Sequence, residues 1–221
     1  MEQHRFVAPT SERPSVVRGV LLSLLASVVI GLGAGILTSY AQLWLPRGLS
    51  SLANSATPWC VVAGLVALLV RSAPGGAVAG VVALLGMDAG YGIGSELRGY
   101  AYGAGTALFW AVIALVAGPV VGAGVQWIRQ DRPRLAPLAA GVLAGVVVGE
   151  GVYGLLVVAA TTSTTYWVGQ VLLGLVALAV VCTLVIKTSR RIAVAVMSTL
   201  LTAVAFVVVD SLPLLLITSG T

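Results

Sequence analysis

Asp88 and Glu150 are carboxylic acids set inside long apolar runs, and each is followed three residues later by a tyrosine and then a glycine. The two segments read Gly86-Met87-Asp88-Ala89-Gly90-Tyr91-Gly92 and Val148-Gly149-Glu150-Gly151-Val152-Tyr153-Gly154. On a helix, positions i and i+3 share a face, so Tyr91 accompanies Asp88 and Tyr153 accompanies Glu150. The flanking glycines leave room for a neighbouring helix or a ligand to approach. An ionisable side chain within a bilayer costs roughly 2.5–3.5 kcal/mol on insertion scales, which makes it a functional candidate by default. No basic residue lies at comparable depth in any apolar run, so the sequence offers neither acid an ion-pair partner.

A carboxyl walled in by apolar groups without a counter-charge keeps its proton near neutrality. It can then serve as a general acid, while a second carboxyl in the same cavity accepts protons. Aromatic faces stabilise a cation without attacking it. An acid, aromatic walls and exclusion of water are together what protonation-initiated cyclisation of a polyene requires. Asp88 and Glu150 are therefore the expected catalytic pair, and Tyr91, Tyr153, Trp59 and Trp110 the expected walls of a substrate cavity. Asp210 is a further candidate for the substrate site, with capping of a last helical turn as its alternative. Glu96 has Arg98 close by and is expected to form a surface ion pair. Asn54 reads as a turn or cap residue.

The elements that must position these groups are transmembrane helices. The chain is 59% hydrophobic and 9% charged, far below the roughly 25% charge of soluble domains. A span needs about 20 apolar residues. Runs of that kind cover residues 19–40, 52–70, 77–93, 103–128, 135–160, 167–186 and 192–217. The expected fold is thus all-α, a polytopic integral membrane bundle of seven transmembrane helices. Residues 1–18 form a cytoplasmic tail and 19–221 a single transmembrane domain. The second run is irregular: Thr57-Pro58 suggests an N-cap followed by Pro in the first turn, leaving residues 49–55 as a separate interfacial or re-entrant turn. Pro119 is expected to kink the fourth span, whereas Pro137 suits the first turn of the fifth.

Orientation follows from the basic residues. With the N-terminus inside, Arg5, Arg13, Arg18, Arg71, Arg129, Arg132, Arg134, Lys187, Arg190 and Arg191 are cytoplasmic, and only Arg47 and Arg98 are outside. Ten against two is a positive-inside pattern that puts the C-terminus out and the chain in the cell membrane as a multi-pass protein. Asp88, Glu150 and Asp210 then share the outer half. An interfacial belt accounts for Trp44, Tyr100, Tyr102, Tyr166 and Trp167, while Tyr91, Trp110 and Tyr153 sit deeper.

Several chemistries lack their parts. His4 is the only histidine, and Cys60 and Cys182 map near opposite membrane faces, so no metal, other cofactor or disulfide is expected. Metal-dependent isoprenoid transfer uses Asp-rich runs to hold magnesium, and these acids are isolated. There is no Gly-x-Ser-x-Gly, no His-based dyad and no phosphate loop. The net charge of +5 belongs to topology, with no nucleic-acid partner expected.

Three short elements carry a resemblance: Leu52-Ala53-Asn54-Ser55 with Pro58-Trp59, Gly118-Pro119-Val120-Val121-Gly122, and Gly149-Glu150-Gly151-Val152-Tyr153. With these the chain resembles a family of small actinobacterial integral membrane proteins that includes the membrane-bound terpene cyclases of indole-sesquiterpenoid (drimentine-type) biosynthesis. The resemblance implies cofactor-independent protonation of the alkene or epoxide of a farnesylated indole or diketopiperazine, closure to fused rings, and a functional link to a prenyltransferase. It assigns no catalytic residue; Asp88 and Glu150 come from the reading of the residues alone. The alternative is a proton-coupled or substrate-capturing transporter component, since membrane-embedded acids also carry protons and bind solutes.

Overall fold

The structure, a computed structural model, describes residues 13–219, with side-chain surroundings described within 21–211. His4, Arg5 and the rest of the expected tail before Arg13 lie outside the described residues. Among the described residues the chain is all helix apart from its connections. Its elements are α1 (Arg13–Trp44), a 3-10 helix (Arg47–Asn54), α2 (Ala56–Ala67), α3 (Ala73–Leu97), α4 (Ala104–Arg129), α5 (Leu135–Tyr153), α6 (Thr164–Val181) and α7 (Ser189–Ser219). Helices α5 and α6 each end in a π-helical turn, Gly154–Val158 and Cys182–Ile186.

Among the described residues six helices are long and apolar enough to cross a bilayer, and the 3-10 helix with α2 forms a further pair bent by 56°. The bent pair also reaches across the bundle. It starts just after α1, and the carbonyls of Ala67, the last residue of α2, and of Val70, in the connection that follows, accept from Gln126 Nε2 in the last turns of α4 at 2.7 and 2.9 Å. The protein is a multi-pass membrane bundle whose second crossing is broken. Residues 49–54 lie in the separate 3-10 helix, and Ser55 is the hinge between it and α2. The helix start differs from expectation, since α2 begins at Ala56 with Ser55 as its flanking cap residue. Thr57 and Pro58 lie inside the first turn. Pro119 sits within α4, which continues unbroken to Arg129.

These helices are apolar all round, so small residues rather than an amphipathic stripe determine who packs on whom. Helices α1 and α3 run parallel, and a Cβ on Gly90 would run into the Leu32 carbonyl. Helices α3 and α4 run antiparallel, and a Cβ on Gly122 would meet the carbonyl of Gly76. Helices α5 and α7 form a second parallel pair, with Gly149 lying against Ala203 and Phe206. The glycines beside the two acids are therefore consumed by helix contacts. Two apolar cores result: Ala63, Ala83, Leu84, Met87 and Val121 of α2–α4 form one. Ala140, Ala144, Leu178 and Ile186 belong to the other, between α5, α6 and the turn that follows α6.

One end of the bundle gathers the basic residues. Arg129 donates to the Leu68 carbonyl at 3.0 Å, Gln130 to that of Arg71 at 3.2 Å, and Arg191 pairs with Asp131. Arg98 lies at the opposite end, against α1.

Candidate functional site

Between α2, α4 and the far ends of α1 and α3 lies a cavity of about 1150 Å³. Its walls include Trp59 of α2, Tyr91 of α3, Tyr102 of the α3–α4 connection and Trp110 of α4. The rings form a connected series: Trp59 lies 6.4 Å from Trp110 and 6.2 Å from Tyr91, and Tyr91 meets Tyr102 edge-on at 5.5 Å. Leu84, Ile113, Ala114, Val121 and Leu143 line the rest of the wall with apolar surface. Of the four residues expected to wall a substrate cavity, Tyr91, Trp59 and Trp110 line this one.

Asp88 is buried in α3, with 6% of its surface exposed, directly behind this wall. Its Oδ1 accepts from the Tyr102 hydroxyl at 2.5 Å. The expected partner on the same helix face, Tyr91, turns elsewhere and accepts from Gln42 Nε2 at 2.9 Å. Tyr102 reaches Asp88 because Gly92, one turn above the acid, has no side chain where the phenol ring lies. Tyr102 is thus no member of an interfacial belt. Burial, and then the carboxyl beside it, hold its phenol well above the ordinary value. A phenol so placed keeps its own proton and hands it over only if another is supplied.

Glu150 is equally buried, at 6%, yet its surroundings are of another kind. Its Oε1 accepts the Ala56 backbone N–H at 2.5 Å. Its Oε2 accepts the Thr57 N–H at 3.0 Å, the Thr57 hydroxyl at 2.7 Å, the Ser55 hydroxyl at 2.8 Å and the Gln170 amide at 2.7 Å. All five contacts come from donors, and two are the orphan N–H groups of the first turn of α2. The positive end of that helix is aimed at the acid. Glu150 therefore caps a helix from a distance, across the gap left by the broken span. The sequence offers it no basic partner, and the partners it finds are neutral donors. Ser55, Ala56 and Thr57 also line the cavity, so Glu150 supports the wall from behind.

The remaining candidates lie apart. Tyr153, at the end of α5, is half-buried and is not part of the cavity wall. Asp210 is exposed on α7 and also outside it. Trp167, expected at the interface, is 6% exposed and packs over Gly154 while its indole donates to Thr162 at 2.8 Å. The Glu96–Arg98 pair does not form: Glu96 is exposed, and Arg98 Nη1 turns to the Ser39 carbonyl, the Ser39 hydroxyl at 3.0 Å and Gln42 Oε1 at 3.3 Å. Asn54 does more than make a turn, because its Oδ1 accepts from Gln42 at 2.7 Å beside the cavity. Gln42, Gln170 and Tyr102 are the site residues that sequence reasoning missed. A glutamine inside an apolar run was the available signal for Gln170; Gln42 lies just past the end of the first run.

A protein-family model matches residues 14–215, which include every residue of the cavity and both buried acids. The chain belongs to the family of unknown function DUF6518. No curated protein and no solved structure shows significant similarity to it.

Proposed function

We propose that the protein is an integral membrane cyclase that starts ring closure by protonating an isoprenoid chain. The observation that carries this reading is the 2.5 Å contact between the buried Asp88 carboxyl and the Tyr102 phenol, placed at the wall of a large aromatic and apolar cavity. Tyr102 stands between the acid and the cavity, so the proton leaves by relay. In the reacting state Asp88 carries a proton and the bond between the two groups is reversed, the carboxyl O–H donating to the phenol oxygen. The phenol hydrogen, freed towards the cavity, adds to the terminal alkene carbon as the Asp88 proton moves to the phenol oxygen. The π pair becomes the new C–H bond, and the positive charge left on the adjacent carbon draws in the next double bond. Tyr91, Trp59 and Trp110 offer ring faces to that charge. The last cation loses a proton along the same relay in reverse, which restores the acid. The product is an isomer of the substrate, so no co-reactant is consumed.

The resemblance noted in the sequence suggests a farnesylated indole or diketopiperazine as substrate, a prenyltransferase as its supplier and the cell membrane as the setting. Glu150 leaves the catalytic pair in this reading and becomes a positioning residue for α2. The test is product analysis in cells that express the chain and contain a farnesylated indole. Asp88→Asn and Tyr102→Phe should abolish cyclised product at normal membrane abundance. Undiminished cyclisation by Asp88→Asn protein would sink the proposal. Specific binding of the prenylated compound by a wild-type protein that never cyclises it would point instead to a substrate-capturing transporter component.

A further inference from the structure

The two ends of the cavity differ in what they can bind. One end is lined by Leu65, Ile113, Val116 and Val120, all apolar. At the other end stand Arg98, Gln42, Asn54 and Tyr91, joined by hydrogen bonds. Acceptors and donors are unequally used there. Gln42 Oε1 is taken by Arg98 and Asn54 Oδ1 by Gln42. Turning the Gln42 amide over would set its NH2 against the guanidinium, so Arg98 fixes which way round it lies. What remain without a protein partner among the described residues are donors: Arg98 Nε, which is buried, and Arg98 Nη2, the Asn54 amide and the Tyr91 hydroxyl hydrogen, which the bonds of this cluster leave unused. Arg98 also meets no carboxylate at ion-pair distance among the described residues. Its guanidinium is held in place by Nη1 on α1 and by stacking 5.1 Å above the Tyr100 ring. A held cation in a donor-rich setting is matched by oxygen acceptors.

We infer that Arg98, with Asn54 and Tyr91, forms a head-group subsite for an amphiphile that presents oxygen acceptors there, a carboxylate or an amide carbonyl, while its prenyl tail fills the aromatic and apolar end. The inference deepens the cyclase reading by naming the polar half of the substrate, yet binding can be tested without turnover. The purified full chain in lipid nanodiscs is titrated with three farnesyl-chain probes: a carboxylic acid, a primary amide and the plain hydrocarbon. Binding is followed by quenching of indole fluorescence, to which Trp59 and Trp110 in the cavity wall contribute.

Wild-type protein should bind the acid or the amide about tenfold more tightly than the hydrocarbon, the scale of a hydrogen bond from a charged donor. Preference for the acid marks an anionic head, and equal binding of acid and amide marks a carbonyl. Arg98→Leu should erase the preference and leave hydrocarbon binding intact. Because Arg98 also braces α1, Asn54→Leu is measured in parallel and should narrow the preference without touching that brace. Equal binding of all three probes by wild type, or an unchanged preference in both variants, would overturn the inference. Loss of cyclisation with the head-group preference intact would overturn only the cyclase reading.

Discussion

Glu150 holds Thr57 twice, through its backbone N–H at 3.0 Å and through its hydroxyl at 2.7 Å. One carboxyl on α5 thereby fixes the first turn of a helix 93 residues earlier in the chain. The broken second span needs this because its first N–H groups lie inside the bundle, where water cannot satisfy them.

Removing that acceptor strands several buried donors at once. Glu150→Ala should destabilise the protein by about 3 kcal/mol, since each stranded buried donor costs on the order of 1–3 kcal/mol, and Glu150→Gln should cost less because one oxygen still accepts. Thermal unfolding in detergent measures both. An Ala variant as stable as wild type would show that α2 is held by its apolar contacts alone.

Tyr102 links stability to pH with a definite sign. Its folded value is raised, by burial first and then by Asp88, so the protonated phenol is what the fold favours. The contribution is fully present below the phenol's ordinary value of about 10 and falls as pH climbs from there towards the raised folded value. Melting curves across alkaline pH should show this loss in wild type and a shallower one in Tyr102→Phe. Identical alkaline profiles would remove Tyr102 as the titrating group.

Close helix contacts should make particular glycines irreplaceable. Gly90→Ala and Gly122→Ala would each press a methyl against a backbone carbonyl, at a cost of about 1–3 kcal/mol for overpacking. Gly33→Ala, with nothing within 4 Å, should be neutral or slightly stabilising through helix propensity. Detergent-solubilised melting temperatures of the three variants decide the matter, and equal values would mean that α1, α3 and α4 pack elsewhere.

The end bearing Arg129, Arg132, Arg134 and the Asp131–Arg191 pair should face the cytoplasm. A reporter active only outside the membrane should therefore work when fused after Thr221. Activity confined to a cytoplasmic reporter there would reverse the orientation.

The apolar runs determined which segments are helical, because a bilayer leaves the backbone few alternatives to helix, though helix ends fall several residues from the run ends. Even the break near Ser55 was visible, since Pro58 restricts where a helix can begin. The two acids were legible as unusual for the same reason: any charge in such a run stands out. Their roles were not legible. Sequence spacing pairs Asp88 with Tyr91 and Glu150 with Tyr153, but spacing along one helix says only which side chains share a face. The real partners, Tyr102 for Asp88 and Ser55, Thr57 and Gln170 for Glu150, come from other segments. Only the tertiary structure could separate the acid beside the cavity from the acid that caps a helix. Helix formation in a membrane is a local consequence of composition. The environment of a buried carboxyl is set by whichever distant donors the packing of small residues brings within reach.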